Sequence, residues 1–153
     1  MAAATVSLIL LGFYWTGFLG KSDQALFEAY FEPYENLISS RNTDFSQLEE
    51  GMQLYSAAKY AEAIAAFEKY PDNTSDELHF YRGISLLAVG RVADAIADFE
   101  KVRSGMYHQQ AKWYLALSQL RAKQRSRAVE TLHMIGAGDF NHQNAQELIE
   151  ELQ

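Results

Sequence analysis

The stretch Gly51 to Lys69, GMQLYSAAKYAEAIAAFEK, returns 32 residues later as Gly83 to Lys101, GISLLAVGRVADAIADFEK. Gly51 falls on Gly83, Ala63-Ile64 on Ala95-Ile96, and Phe67-Glu68-Lys69 on Phe99-Glu100-Lys101. A third copy follows at a spacing of 33, with Ala116 in the glycine's place, then Ala128-Val129 and Leu132. A fixed period of this size belongs to units that cannot bury their apolar faces alone and must stack on their neighbours. The chain is therefore constrained to be a short row of similar units. The period says nothing about what that row holds.

Local signals make the units helical. Apolar residues at helical spacing predict helices over 45–57 and 60–69, 75–89 and 92–102, and 107–122 and 125–134. Asn42-Thr43-Asp44 offers capping oxygens before the first, and Thr74 with Glu77 has capping-box spacing. Pro71 with Asp72-Asn73, Ser104-Gly105 and Gly136-Ala137-Gly138 supply breaks, and Gly90 ends its helix. A last helix is predicted over 141–152. Its start, His142-Gln143-Asn144-Ala145, echoes His108-Gln109-Gln110-Ala111, and Glu147, Glu150 and Glu151 give it a polar outer face suited to closing the row. The expected fold class is all-α.

Each unit has a small residue in its first helix, an alanine early in its second, and a large apolar residue four positions later. The small residues are Gly51, Gly83 and Ala116; the alanines Ala63, Ala95 and Ala128; the large residues Phe67, Phe99 and Leu132. Two antiparallel helices approach closely only where side chains are small, and the large residue fills the gap to the next pair. This pattern resembles the tetratricopeptide repeat. The resemblance implies an α-solenoid of three helix pairs over about 45–73, 75–104 and 107–136, plus the capping helix. It departs from the family where Gln119 replaces an aromatic or leucine, where Lys123-Gln124 replaces a small turn, and where Glu50 and Arg82 take an apolar position that Leu115 keeps. The closing proline of the family is also missing. At Glu50 and Arg82 the expectation is either shifted packing or a pair between the two residues.

The resemblance further implies a concave groove lined by the first helices. Its positions here are Phe45, Leu48, Met52 and Tyr55, then Glu77, Phe80, Ile84 and Leu87, then Gln110, Trp113, Leu117 and Leu120. Relatives that clamp a C-terminal carboxylate use Lys, Arg and Asn there, types nearly absent from these positions. A protein or peptide partner held here would be gripped by apolar and aromatic contacts.

Ahead of the repeats, residues 2–20 carry no charge. As a helix at about 1.5 Å per residue they reach roughly 28 Å, close to the thickness of a bilayer core. Phe13, Tyr14, Trp15 and Phe18 gather in the second half, and Lys21 ends the run. No Lys or Arg precedes it and no A-x-A-like site follows, so an uncleaved single span is preferred over a cleaved signal or a buried helix. Gly12, Thr16 and Gly20 share one face in a small-xxx-small pattern that permits a homodimer, although glycine is common in membrane helices generally.

Residues 21–42 form an acidic, aromatic connector. Leu26, Phe27, Tyr30 and Phe31 predict a short amphipathic helix that Pro33 ends. The crowded Tyr30, Phe31, Pro33 and Tyr34 must pack on something, either the first helix pair, the membrane interface, or the groove itself. Span, connector and repeats together are similar to small membrane-anchored bacterial repeat proteins. That similarity implies a repeat domain on the periplasmic side of an inner membrane.

Chemistry is sparse. There is no cysteine, so neither disulfides nor thiolate sites exist. A net charge of −7, all of it beyond residue 20, opposes binding to nucleic acid. His79, His108, His133 and His142 form no metal motif and are expected to be partly exposed helix residues. No phosphate loop, G-x-S-x-G or H-E-x-x-H occurs. Asn73-Thr74-Ser75 matches a glycosylation acceptor, a short pattern frequent by chance. The one basic cluster, Arg121 to Arg127, is either a solvated turn or a dock for an acidic partner. The expected function is a protein-binding scaffold without catalytic residues, cofactor or metal. The alternative is a structural or self-associating subunit whose groove is filled by its own connector.

Overall fold

The computed structural model describes residues 21–36, 48–70 and 75–153. The expected span 2–20, with Gly12, Thr16 and Gly20, lies outside the described residues, as do Phe45 and Asn73-Thr74. Among the described residues no helix is long and apolar enough to cross a membrane.

The described chain is all-α. It comprises α1 (Asp23–Tyr30), α2 (Glu49–Ser56), α3 (Tyr60–Phe67), α4 (Asp76–Ala88), α5 (Val92–Phe99), α6 (His108–Arg121), α7 (Arg125–His133) and α8 (His142–Leu152). From α2 onward every helix packs on the next one in the chain, and α1 packs on α6. The apolar side chains of all eight meet in one core.

The turns inside the three pairs are copies of one another. Ala58, Gly90 and Lys123 each adopt left-handed backbone, with φ of 55°, 85° and 61°. After each, an amide donates back to a carbonyl of the first helix: Lys59 to Leu54 at 2.9 Å, Arg91 to Leu86 at 2.8 Å, Gln124 to Gln119 at 2.9 Å. This is a Schellman closure, which ties up carbonyls that a helix end leaves unpaired. Lys123-Gln124 thus makes the same turn as the glycine of the second pair.

The small and large landmark residues touch. A Cβ added to Gly51 would lie 2.3 Å from Cε1 of Phe67, and one added to Gly83 would lie 2.8 Å from Cε1 of Phe99. Either contact is inside van der Waals range, so the glycines are required by the rings opposite. Where Leu132 replaces the ring, Ala116 replaces the glycine, and both are fully buried.

Two sequence expectations are corrected here. Glu50 and Arg82 do not pair with each other. Glu50 meets Lys69 at 2.8 Å on the surface. Arg82 is buried, and its Nε lies 2.7 Å from Oδ2 of Asp98. The register explains it: each residue sits opposite the second helix of its own pair. His79 is buried too, not partly exposed, with Nδ1 3.1 Å from Oδ1 of Asp98. Burial alone would raise the Asp98 carboxyl, but hydrogen bonds from Arg82 and His79, and their charges, outweigh it and hold the pKa below its ordinary value.

The echo of His108 in His142 has a physical cause. Nδ1 of His108 lies 3.1 Å from the Val102 carbonyl, and Nδ1 of His142 lies 3.2 Å from the Ile135 carbonyl. A carbonyl only accepts, so each ring carries its proton on Nδ1 and clips the start of a helix to the end of the preceding pair. The α4 cap is Ser75, whose hydroxyl accepts from the Leu78 amide at 3.2 Å, one residue beyond the expected Thr74.

Candidate functional site: the inner face and its connector

α1 begins where the Ser22 hydroxyl accepts from the Ala25 amide at 3.2 Å. It buries Leu26 and Phe27 and ends at Tyr30, two residues before Glu32, which Pro33 bars from helix. Residues 31–36 then run on without regular structure.

That extended run crosses the first helices of all three pairs. Tyr55 of α2 donates its phenol hydrogen to the Tyr34 carbonyl. Tyr81 of α4 donates to the Glu35 carbonyl at 3.1 Å, and Tyr114 of α6 donates to the Glu32 carbonyl at 2.7 Å. Backbone carbonyls of an extended segment have no partner within that segment, so each hydroxyl satisfies one. Each such bond contributes about 1 kcal/mol net. Burial raises the pKa of Tyr55 and of Tyr114, and neighbouring phenols add to it, so both stay protonated donors.

The rings of the connector find aromatic partners. Tyr34 stands edge-on to Phe80 at 5.3 Å, to Phe140 at 5.5 Å and to Tyr107 at 6.3 Å. Phe31 meets Tyr114 at 6.3 Å, and Tyr30 meets Trp113 at 6.0 Å. Edge-to-face pairs contribute about 0.5–1.5 kcal/mol each beyond their burial. Glu32, Pro33 and Glu35 remain exposed between these anchors.

Charges clasp α1 from outside. Asp23 meets Arg125 at 2.6 Å, and Lys21 meets Glu151 at 2.8 Å. The Arg121 guanidinium lies over the Phe27 ring, 4.6 Å from its centroid, and also donates to the Leu87 carbonyl. Arg127 pairs with Glu100 at 3.1 Å. The basic cluster Arg121 to Arg127 is exposed at Lys123, Arg125 and Arg127, as a solvated turn would be, and three of its cations also act within the chain. Tyr30 donates to Glu151 at 3.1 Å, and burial followed by that carboxylate pushes its phenol up to about 12.

All nine residues expected to line an open groove are buried: Leu48, Met52, Tyr55, Phe80, Ile84, Leu87, Trp113, Leu117 and Leu120, none above 4% exposed. Tyr55, Phe80 and Trp113 meet the connector directly. The others belong to the shared core. Of the polar groove positions, Glu77 is half-buried, and Gln110 donates to the Tyr34 hydroxyl at 3.4 Å. Oε1 of Gln110 is buried and has no hydrogen-bond partner among the described residues. Beside this seat lies an open cavity of about 600 Å³ walled by Tyr30, Tyr34, Trp113, Phe140 and Asn141.

Sequence reasoning missed Tyr81 and Tyr114. They were legible as a pair, because they occupy the same position 33 residues apart, each one step after an expected groove residue. Among the described residues no three His, Asp or Glu side chains are grouped to hold a metal ion. No protein-family model, no curated protein and no solved structure matches this chain.

Proposed function

We propose that the chain is an α-solenoid of three tetratricopeptide-type helix pairs closed by α8, carried on a membrane by residues 2–20. Its repeat domain faces the periplasm, and it works as a protein-binding scaffold whose inner face takes an extended segment of polypeptide. The repeated turns at Ala58, Gly90 and Lys123 support the solenoid. The observation that carries the functional reading is the row of phenols from Tyr55, Tyr81 and Tyr114, aimed at backbone carbonyls rather than at side chains. Such donors grip any extended chain whose rings fit, which is how peptide-binding surfaces gain affinity without reading every side chain. In the closed form the occupant is the protein's own connector.

A second reading, a fixed structural subunit, draws on the burial of all nine groove residues. Purification of the tagged full chain from its native membranes, as wild type and as Tyr34→Ala, separates the two. A discrete foreign chain enriched with the Tyr34→Ala protein supports the scaffold. Self-association alone, equal in both proteins, supports the structural subunit.

A further inference from the structure

We infer that the inner face recognises, in a partner protein, an extended segment bearing two aromatic residues three positions apart. This rests on the scaffold reading. The connector itself is the template. Its Phe31 packs on Tyr114 and its Tyr34 sits between Phe80 and Phe140. The intervening Glu32 and Pro33 are exposed, so their side chains are not specified. Three carbonyl contacts fix the backbone whatever those side chains are.

Tyrosine fills the second seat imperfectly. Nε2 of Gln110 reaches the Tyr34 hydroxyl at 3.4 Å, while Oε1 of Gln110 is buried without a donor among the described residues. Turning the amide over exchanges the two atoms and leaves the nitrogen unpaired instead. An indole, with one N–H to give and no acceptor, would only exchange the orphan oxygen for an orphan nitrogen, so the seat selects for a ring and not for its polar group. Space for the larger ring exists in the cavity that Tyr34, Trp113 and Phe140 border.

The connector competes from within the same chain. A short tether presents it at millimolar effective concentration, so a partner meets a largely closed groove. Weakening the connector opens the site without touching the scaffold.

The test uses the full chain in detergent and fluorescent peptides spanning Ala29 to Asn36, with the native sequence, Tyr34→Trp or Tyr34→Ala. A chain carrying Tyr34→Ala is expected to bind the native peptide at least about tenfold tighter than wild type does, because the internal competitor has lost its anchor. The Tyr34→Trp peptide, which keeps a ring in the second seat and exchanges one hydrogen bond for another, is expected to bind within a few-fold of the native peptide. The Tyr34→Ala peptide is expected to lose binding. A second chain, Pro33→Gly, keeps every ring and only loosens the connector. It too should bind the native peptide better than wild type. Equal binding of all three peptides overturns the inference. So does no binding to either variant chain while its helical circular dichroism is intact. That second result leaves the scaffold reading to the membrane purification, since a partner still enriched there would have to dock elsewhere.

Discussion

The furrow between the first and second helix pairs and the furrow between the second and third are built on one frame and filled with opposite chemistry. Arg82, Asp98 and Lys101 stand at repeat positions held, in the next pair, by Leu115, Thr131 and Met134. In the earlier furrow Arg82 and His79 close on a buried Asp98. In the later one Thr131 donates to Gln119 at 2.7 Å, a neutral bond between buried groups. The helices and turns around both are alike. The frame therefore dictates which positions are small and which are large. It leaves the polarity of the edge positions open, provided that charges arrive with their partners.

The comparison breaks first at the ions. Asp98→Ala should cost about 3–5 kcal/mol, because it strands the Arg82 charge in a buried site. Thr131→Val at the equivalent position should cost only about 1–2 kcal/mol, the penalty of one unsatisfied amide oxygen. Urea unfolding of both variants checks the ratio. The acid response gives a sharper version. Asp98 has a folded pKa below its ordinary value of 3.8, so as pH falls the unfolded chain takes up the proton first. Its stabilisation is fully present above that ordinary value and is lost as pH falls through the lower, folded one. Asp98→Asn should therefore flatten the fall in stability below about pH 4 relative to wild type. An unchanged acid limb would show that the carboxylate contributes nothing.

The opposite experiment imports the neutral furrow. Arg82→Leu with Asp98→Thr places the third pair's residues in the second. Replacing a buried ion pair by apolar groups is often neutral or stabilising by about 1–4 kcal/mol. The double variant should therefore be at least as stable as wild type, although each single change is destabilising. A double variant as unstable as Asp98→Ala would mean that His79 also needs the carboxylate.

The landmark contacts come next. Gly83→Ala drives a methyl group toward the Phe99 ring, and overpacking of this kind costs about 1–3 kcal/mol. The third pair shows the accommodation, since Ala116 coexists with Leu132. Adding Phe99→Leu to Gly83→Ala should therefore cost less than the sum of the two single changes, measured as a coupling in a double-mutant cycle. Strict additivity would break the claim that the pairs share one packing rule.

Much of this frame was legible in the chain because packing positions repeat. The predicted helices over 60–69, 75–89, 92–102, 107–122 and 125–134 end within three residues of the observed ends, and three of their starts coincide. Edge positions do not repeat, so periodicity could not show that Arg82 finds Asp98 in its own pair rather than Glu50 in the preceding one. The connector was legible only as a surplus of aromatic residues with nowhere to go. That it crosses all three pairs depends on contacts up to 82 residues apart, such as Tyr114 to Glu32, and no local pattern encodes those.

The turns give the smallest effect and the cleanest reading of the frame. Gly90 adopts left-handed backbone without strain, whereas Ala58 and Lys123 adopt it against the clash of Cβ with the carbonyl. That clash costs roughly 1–2 kcal/mol per residue. Glycine relieves it but brings back about 0.5–1 kcal/mol of chain entropy in the unfolded state. Lys123→Gly should therefore stabilise by no more than about 1 kcal/mol, seen as a small rise in the midpoint of urea unfolding at unchanged slope. Gly90→Ala, the reverse change in the second pair, should lower that midpoint by a similar amount. If the two changes moved stability in the same direction, the turns would not be equivalent. The matching hydrogen bonds from Arg91 to Leu86 and from Gln124 to Gln119 would then have to differ in strength for a reason outside the backbone.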